Sequence, residues 1–289
     1  MTKGKIVGAA LASHHPGLMQ CEEFRVLMGA GADSDLIAGY ARLRQKISAV
    51  QPDVVMIFDT HWFTTGYHLI DAGARYSGTY VSDEMPWYLH GVPYNYAGHP
   101  ALAQLVEDVA RERGVRSRAI AHPGLGRHYP TLNLLKQLRL EDTPAVSVSS
   151  CQNCEPHHYV ESGSVIGEAI ARSGLKVLLL ASGALSHRFN GIDWKPMHPR
   201  IFHESNVASE LNIASDKRAI ELLCQGRHDT VLAQWDSDYR KLPWEAFGAH
   251  YLQMIGAMGG AACTAKGTTL SDYENARGTG NIHIWFDLP

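Results

Sequence analysis

The chain has 289 residues, 45% of them hydrophobic, with a formal net charge of -3 and a pI of about 6.6. That length and apolar content support a sizeable core in one or two domains, and the slightly acidic balance excludes the basic stripes by which proteins grip nucleic acid. The apolar runs stop well short of the roughly 18 residues that a membrane-spanning helix needs.

In chain order, Lys5–Leu11 (KIVGAAL) reads as a β-strand rather than a signal peptide, because its apolar part is short and two histidines and a proline follow. Gly29–Asp33 (GAGAD) lacks the third glycine and the preceding strand of a dinucleotide loop, so it reads as a flexible connection. Leu36–Val50 places Leu36, Ile37, Tyr40, Leu43, Ile47 and Val50 at helical spacing. Asp53–Phe58 follows as a strand. Tyr76–Gly98 sets Trp87, Tyr88, Tyr94 and Tyr96 among Pro86 and Pro93, either as walls for a flat apolar ligand or as anchors of a long loop. Ala101–Arg113 and Tyr159–Ser173 read as helices, with Gly114 and Gly174 as their C-terminal caps. Pro144–Ser149 and Lys176–Ala181 read as strands, Asp216–Gln225 and Glu245–Met258 as helices, and Asn281–Phe286 as a last strand. Strands alternating with helices imply βαβ units. With no linker and no repeat, the chain is expected to form one α/β domain over residues 1–289, a mostly parallel central sheet flanked by helices.

Five cysteines, an odd and sparse number, argue against a disulfide framework and fit a reducing cytoplasm. Cys151-Gln-Asn-Cys154, with His157 and His158 close behind, raises a redox pair or a zinc site. No second C-x-x-C accompanies it, and the two thiols read as structural. Position matters more among the 16 histidines. His14, His61 and His187 each follow an apolar strand, where α/β sheets bind their ligands. A single such histidine reads as a satisfied loop residue; three from separate strands point to metal binding or proton transfer. Zinc would take three histidines and a water, and a non-haem Fe(II) oxygenase two histidines and one carboxylate. Spacing leaves both open.

Longer stretches carry a resemblance. SHHP at Ser13–Pro16, FDTHW at Phe58–Trp62, YNYAGHP at Tyr94–Pro100, LLASGALSHRF at Leu179–Phe189 and GTGN at Gly278–Asn281 run nearly end to end. With them the chain resembles the class III (LigB-like) extradiol ring-cleaving dioxygenases. The resemblance implies Fe(II) held by His14, His61 and Glu245, the last found by counting back from Met254 and Met258. It implies His187 as the acid–base catalyst, and His158 in the strand-to-helix loop as a contact for substrate or oxygen. Arg127–Thr131 (RHYPT) falls where relatives carry D-H-G or E-Y-G, so Tyr129 takes the central pocket-facing position and His128 the acidic one, and Pro130 replaces the glycine. The implied reaction opens a catechol-type, homoprotocatechuate-like ring with O2 to a muconic semialdehyde. Alternatives are 2-aminophenol-type cleavage, or a zinc-binding or Memo-like relative without dioxygenase activity. The implied partners are a small aromatic substrate and further copies of the chain or a homologous subunit, with neither nucleic acid nor membrane.

Overall fold

The computed structural model describes residues 3–288. Its strands are β1 Lys5–Ala12, β2 Val54–Thr64, β3 His68–Asp71, β4 Arg75–Tyr80, β5 Val92–Ala97, β6 Ser117–Ile120, β7 Ala145–Cys151, β8 Lys176–Ser182, β9 Gly267–Thr269, β10 Glu274–Ala276, β11 Thr279–Asn281 and β12 Ile284–Phe286. Its helices are α1 Glu22–Met28, α2 Asp35–Val50, α3 Pro100–Arg113, α4 Tyr129–Leu138, α5 Pro156–Ser173, α6 Glu210–Cys224, α7 His228–Ala233 and α8 Ala249–Ala257. Eight strands form one sheet in the order β6-β3-β7-β2-β8-β1-β12-β9. Its centre, β7-β2-β8-β1, is parallel. Antiparallel β12 and β9 extend one side, and β3 pairs antiparallel with β7 on the other.

Neighbouring residues of a strand face opposite sides of a sheet, and the central strands are apolar on both, as a sheet covered on both faces requires. Leu11, Met56, Phe58, Val148 and Leu179 pack under α3, α5 and α8. Ala10, Val55, Ile57, Leu178 and Leu180 pack under α2 and α4. The result is a three-layer α/β domain, as expected, with β2, β8 and β1 side by side in the middle layer.

Local chemistry sets most boundaries. The Ser34 hydroxyl caps α2 by accepting the Leu36 N–H at 3.2 Å. Left-handed Gly114 and Gly174 end α3 and α5, in the positions foreseen. Helix α6 begins at Glu210, six residues ahead of the expected Asp216, because Ser209 caps it by accepting from Asn212 N–H. The aromatic loop holds the antiparallel ribbon β4–β5, with Tyr76 opposite Tyr96. The RHYPT segment runs into α4. Pro130 lies in the first turn of that helix, where its missing N–H costs nothing.

Two differences bear on the site. Strand β2 continues to Thr64 instead of stopping at Phe58. The helix expected from Glu245 starts only at Ala249, behind a left-handed turn at Ala246 (φ 48°), Phe247 (φ 60°) and Gly248 (φ 76°). Helical apolar spacing reads straight through that turn, since neither Ala nor Phe ordinarily adopts positive φ.

Candidate metal centre

Three adjacent strands converge beyond their carboxyl ends. His14 lies two residues past β1. His61 lies inside β2, at a bulge: from Phe58 to Phe63 that strand advances five residues while its neighbour β7 advances two, from Val148 to Ser150. Bulges re-aim side chains, and a buried carboxylate organises this one. Asp59 accepts the N–H groups of His61 (2.9 Å) and Trp62 (3.2 Å) on one oxygen, and the hydroxyl of Thr131 (2.7 Å) on the other.

Glu245 comes from the opposite direction, ahead of the left-handed turn. Its N–H donates to Leu185 O, and its Oε2 accepts the Ala184 N–H at 2.7 Å. Oε1 accepts from Thr60 Oγ1 at 2.8 Å and faces both imidazoles, 3.2 Å from His14 Nε2 and 3.2 Å from His61 Nε2. Gly248 belongs to the same construction. A Cβ there would meet the Trp235 ring at 2.2 Å, so glycine satisfies both the positive φ and the close approach.

The donor set fits a metal ion. Donors about 2.1 Å from one ion at right angles stand about 3 Å apart, and the ligand atoms of His14, His61 and Glu245 all lie within 4.8 Å of one another. Two imidazoles and a carboxylate on one face match the arrangement non-haem Fe(II) takes. The outer ring nitrogens are held as well: His14 Nδ1 lies 2.9 Å from Ser182 Oγ, and His61 Nδ1 2.9 Å from Glu84 Oε1. Such partners turn each Nε2 towards the ion. Burial alone would push the His61 imidazole down; Glu245 and Glu84 outweigh it and bring it to about 10. Glu245 is held well below the usual carboxylate range, the cost of its burial being exceeded by His14, His187 and His61.

The remaining residues expected at the site fall into two groups. His187 Nε2 lies 4.0 Å from Glu245 Oε1, beyond hydrogen-bonding distance, with the side chain 27% exposed. Tyr129, the first residue of α4, puts its hydroxyl 3.0 Å from His61 Nε2, and burial raises its phenol well above the ordinary value. His128 is half-buried beside Asp59, Trp62, Arg127 and Thr131, and burial lowers its imidazole. His158 stands apart from the cluster. It caps the exposed start of α5, where its Nδ1 accepts the Glu155 N–H, and it lines an open cavity with His68, Cys151 and Cys154. Among the described residues, no hydrogen bond, ion pair or ring contact joins it to the metal cluster. In the same cavity Cys154 Sγ is 3.6 Å from His68 Nε2, and burial pushes its thiol up to about 12.

Sequence reasoning missed Asp59, Thr60, Glu84, Ser182 and the Ala184 amide. Asp59 and Thr60 lie within D-T-H-W and Ser182 and Ala184 within A-S-G-A, so those motifs held the signal. Glu84 sits in the aromatic loop between β4 and β5, where the signal was the aromatic residues and not the carboxylate.

The fold and its two-histidine, one-carboxylate cluster define an α/β protein with a candidate metal centre. The chain belongs to the family described as the catalytic LigB subunit of aromatic ring-opening dioxygenase, which it matches over residues 8–287, and it is thus a ring-cleavage dioxygenase, an oxidoreductase. It is 32% identical to 3,4-dihydroxyphenylacetate 2,3-dioxygenase of Escherichia coli, over 78% of this chain and 79% of that one. It is 28% identical to the 2-aminophenol 1,6-dioxygenase beta subunit of a Pseudomonas species, over 100% of this chain and 96% of the relative. A crystal structure of an uncharacterized protein from Escherichia coli K12 shares the fold, with a TM-score of 0.63, 16% identity and coverage of 96% and 99% of the two chains.

Proposed function

We propose that the chain is an Fe(II)-dependent extradiol dioxygenase that opens a catechol-type ring with O2 beside the diol. The observation that carries this reading is the convergence of His14, His61 and Glu245 with the half-exposed His187 imidazole at their edge. Bound there, Fe(II) would gather the diol and O2 at one centre and lower the pKa of the coordinated phenol.

The chain's own residues would do the rest. The open side of the cluster carries His187, whose imidazole accepts a proton from the incoming diol and returns it when the O–O bond breaks. Tyr129, kept as a neutral phenol by its burial, donates its O–H to an oxygen of the substrate. His128, neutral under the same influence, sits one residue away and contacts a ring substituent. The product retains both oxygen atoms of O2 and is a hydroxymuconic semialdehyde or its analogue.

The test is a panel of catechols, including 3,4-dihydroxyphenylacetate, and of 2-aminophenols. Each is offered with O2 to protein loaded anaerobically with Fe(II), and the yellow ring-fission product is followed. Turnover of a catechol with one iron per chain is expected. Product from 2-aminophenol alone would favour the substrate named for the Pseudomonas relative. Stoichiometric zinc, with activity that survives removal of iron, would overturn the iron assignment. We further propose that the chain assembles with copies of itself or with a homologous subunit; light scattering at micromolar concentration should give more than one chain per particle.

A further inference from the structure

Asp216 is a buried carboxylate far from the metal ligands in sequence, and the proposed reaction leaves it without a role. It projects from the middle of α6 and is fully buried. Both its oxygens are occupied by the residue that precedes His187. Oδ1 accepts the Ser186 N–H at 2.9 Å, and Oδ2 accepts the Ser186 hydroxyl at 2.6 Å and the Tyr273 hydroxyl at 2.6 Å. Burying a carboxylate is expensive unless donors surround it. Here three do, two of them from one residue.

The backbone around Ser186 is equally constrained. Gly280 N–H donates to Ser186 O, and Leu185 N–H donates to Gly280 O. On the other side His187 N–H donates to Pro243 O, and Ser186 pairs with Trp244. A Cβ on Gly280 would lie 2.1 Å from Asp216 Oδ2, so the β10–β11 hairpin approaches only because glycine stands there. Asp216 thus takes the N–H of Ser186, while the N–H groups of Leu185 and His187 on either side donate to backbone carbonyls.

We propose that Asp216 is a positioning residue. Through Ser186 it fixes the His187 imidazole at its stand-off from Glu245, close enough to serve the substrate and too far to become a fourth ligand. The proposal rests on the acid–base reading of His187. Leu185 and Ala184 keep their own backbone bonds, so the hold on Glu245 does not depend on it. The role differs from a general stabilising one because it acts through one side chain and on one kinetic step.

The experiment is a double-mutant cycle on the Fe(II)-loaded protein, with 3,4-dihydroxyphenylacetate or whichever compound of the panel is turned over. Asp216→Ala should lower kcat about 10-fold or more, leave KM within about twofold, and keep one iron per chain. Asp216→Asn, which still accepts from the Ser186 N–H, should recover much of the loss. In the His187→Ala background, Asp216→Ala should cost nothing further, because coupled residues are non-additive. Ser186→Ala, which removes one donor and no backbone bond, serves as the variant if Asp216→Ala does not fold, and should shift kcat in the same direction. As a readout without turnover, the His187 imidazole 15N signals of the metal-free protein should move in Ser186→Ala and Asp216→Asn. An unchanged kcat in folded Asp216→Ala, or equal losses in the wild-type and His187→Ala backgrounds, would overturn the proposal. Full activity of His187→Ala itself would instead overturn the reading on which it rests.

Discussion

At the scale of single residues, the proposed function separates groups that would hold a metal from a group that would move protons. Glu245 Oε1 is shared between two imidazoles, and among the described residues no other carboxylate reaches both. Glu245→Ala should therefore lose bound iron, as read by metal analysis after desalting; retention of full iron would assign the carboxylate ligand elsewhere. His187→Ala should keep its iron and lose about 10²- to 10⁴-fold in kcat, the usual contribution of a general acid–base. Loss of iron from that variant would make His187 a ligand. Cys154→Ala should leave turnover within about twofold. Its burial-raised thiol is a poor nucleophile at neutral pH and faces a separate cavity.

At the scale of elements, two irregular stretches aim the ligands. One is the bulge of β2, and the other is the left-handed turn before α8. Backbone in sparsely populated regions persists only where its surroundings enforce it. Gly248→Ala should therefore destabilise by about 2 kcal/mol or more, combining positive φ with a clash against Trp235. A urea midpoint within error of the wild type would contradict that reading. These two stretches are also where the sequence was hardest to read. The continuous apolar run of Asp53–Phe58 located the strand, but the bulge that carries it to Thr64 depends on Asp59 gathering amides from its own strand and a hydroxyl from α4, contacts no local pattern reports. The apolar run after Glu245 indicated a helix, yet Glu245 is bound to Leu185 and Ala184 and the chain passes through positive φ at Ala246 and Phe247 before α8 begins. Glycine caps and the parallel centre were legible because Gly114, Gly174 and the buried strands obey local rules. His14 and His61 were legible as candidates because their motifs are long, and Glu245 only by counting back from Met254 and Met258; the Glu84 contact with His61 follows no local pattern.

At the scale of the whole molecule, buried histidines set the response to acid. Burial lowers His68 and His250 to about 4 and His283 to about 3. His283 is well placed as a neutral ring: Nδ1 accepts the Ser13 N–H, and Nε2 lies 3.1 Å from Leu36 O. A base whose folded pKa is depressed binds fewer protons folded than unfolded, so stability rises with pH between about 4 and the unfolded value of 6.5. Asp216, raised to about 7 by its burial, Glu274, also raised by burial, and His61, held against its burial at about 10 by Glu245 and Glu84, work in the opposite direction, but the imidazoles lowered by burial, which also include His15, His128 and His228, outnumber them. Metal-free protein should accordingly show a lower urea midpoint at pH 5 than at pH 7. An equal or higher midpoint at pH 5 would mean that these rings are protonated in the folded state.

The pairing of β1 with β12 brings Ala9–Leu11 beside Ile284–Phe286 in the sheet. Ser13, next to the ligand His14, donates its hydroxyl to Asn281 and its amide to His283. The residue beside the proposed ligand His14 is thus fastened by residues some 270 positions further along the chain. During synthesis an emerging chain would carry His14, His61 and Glu245 before the clasp that sets the first of them, so metal capture at full affinity would wait for residues 281–283.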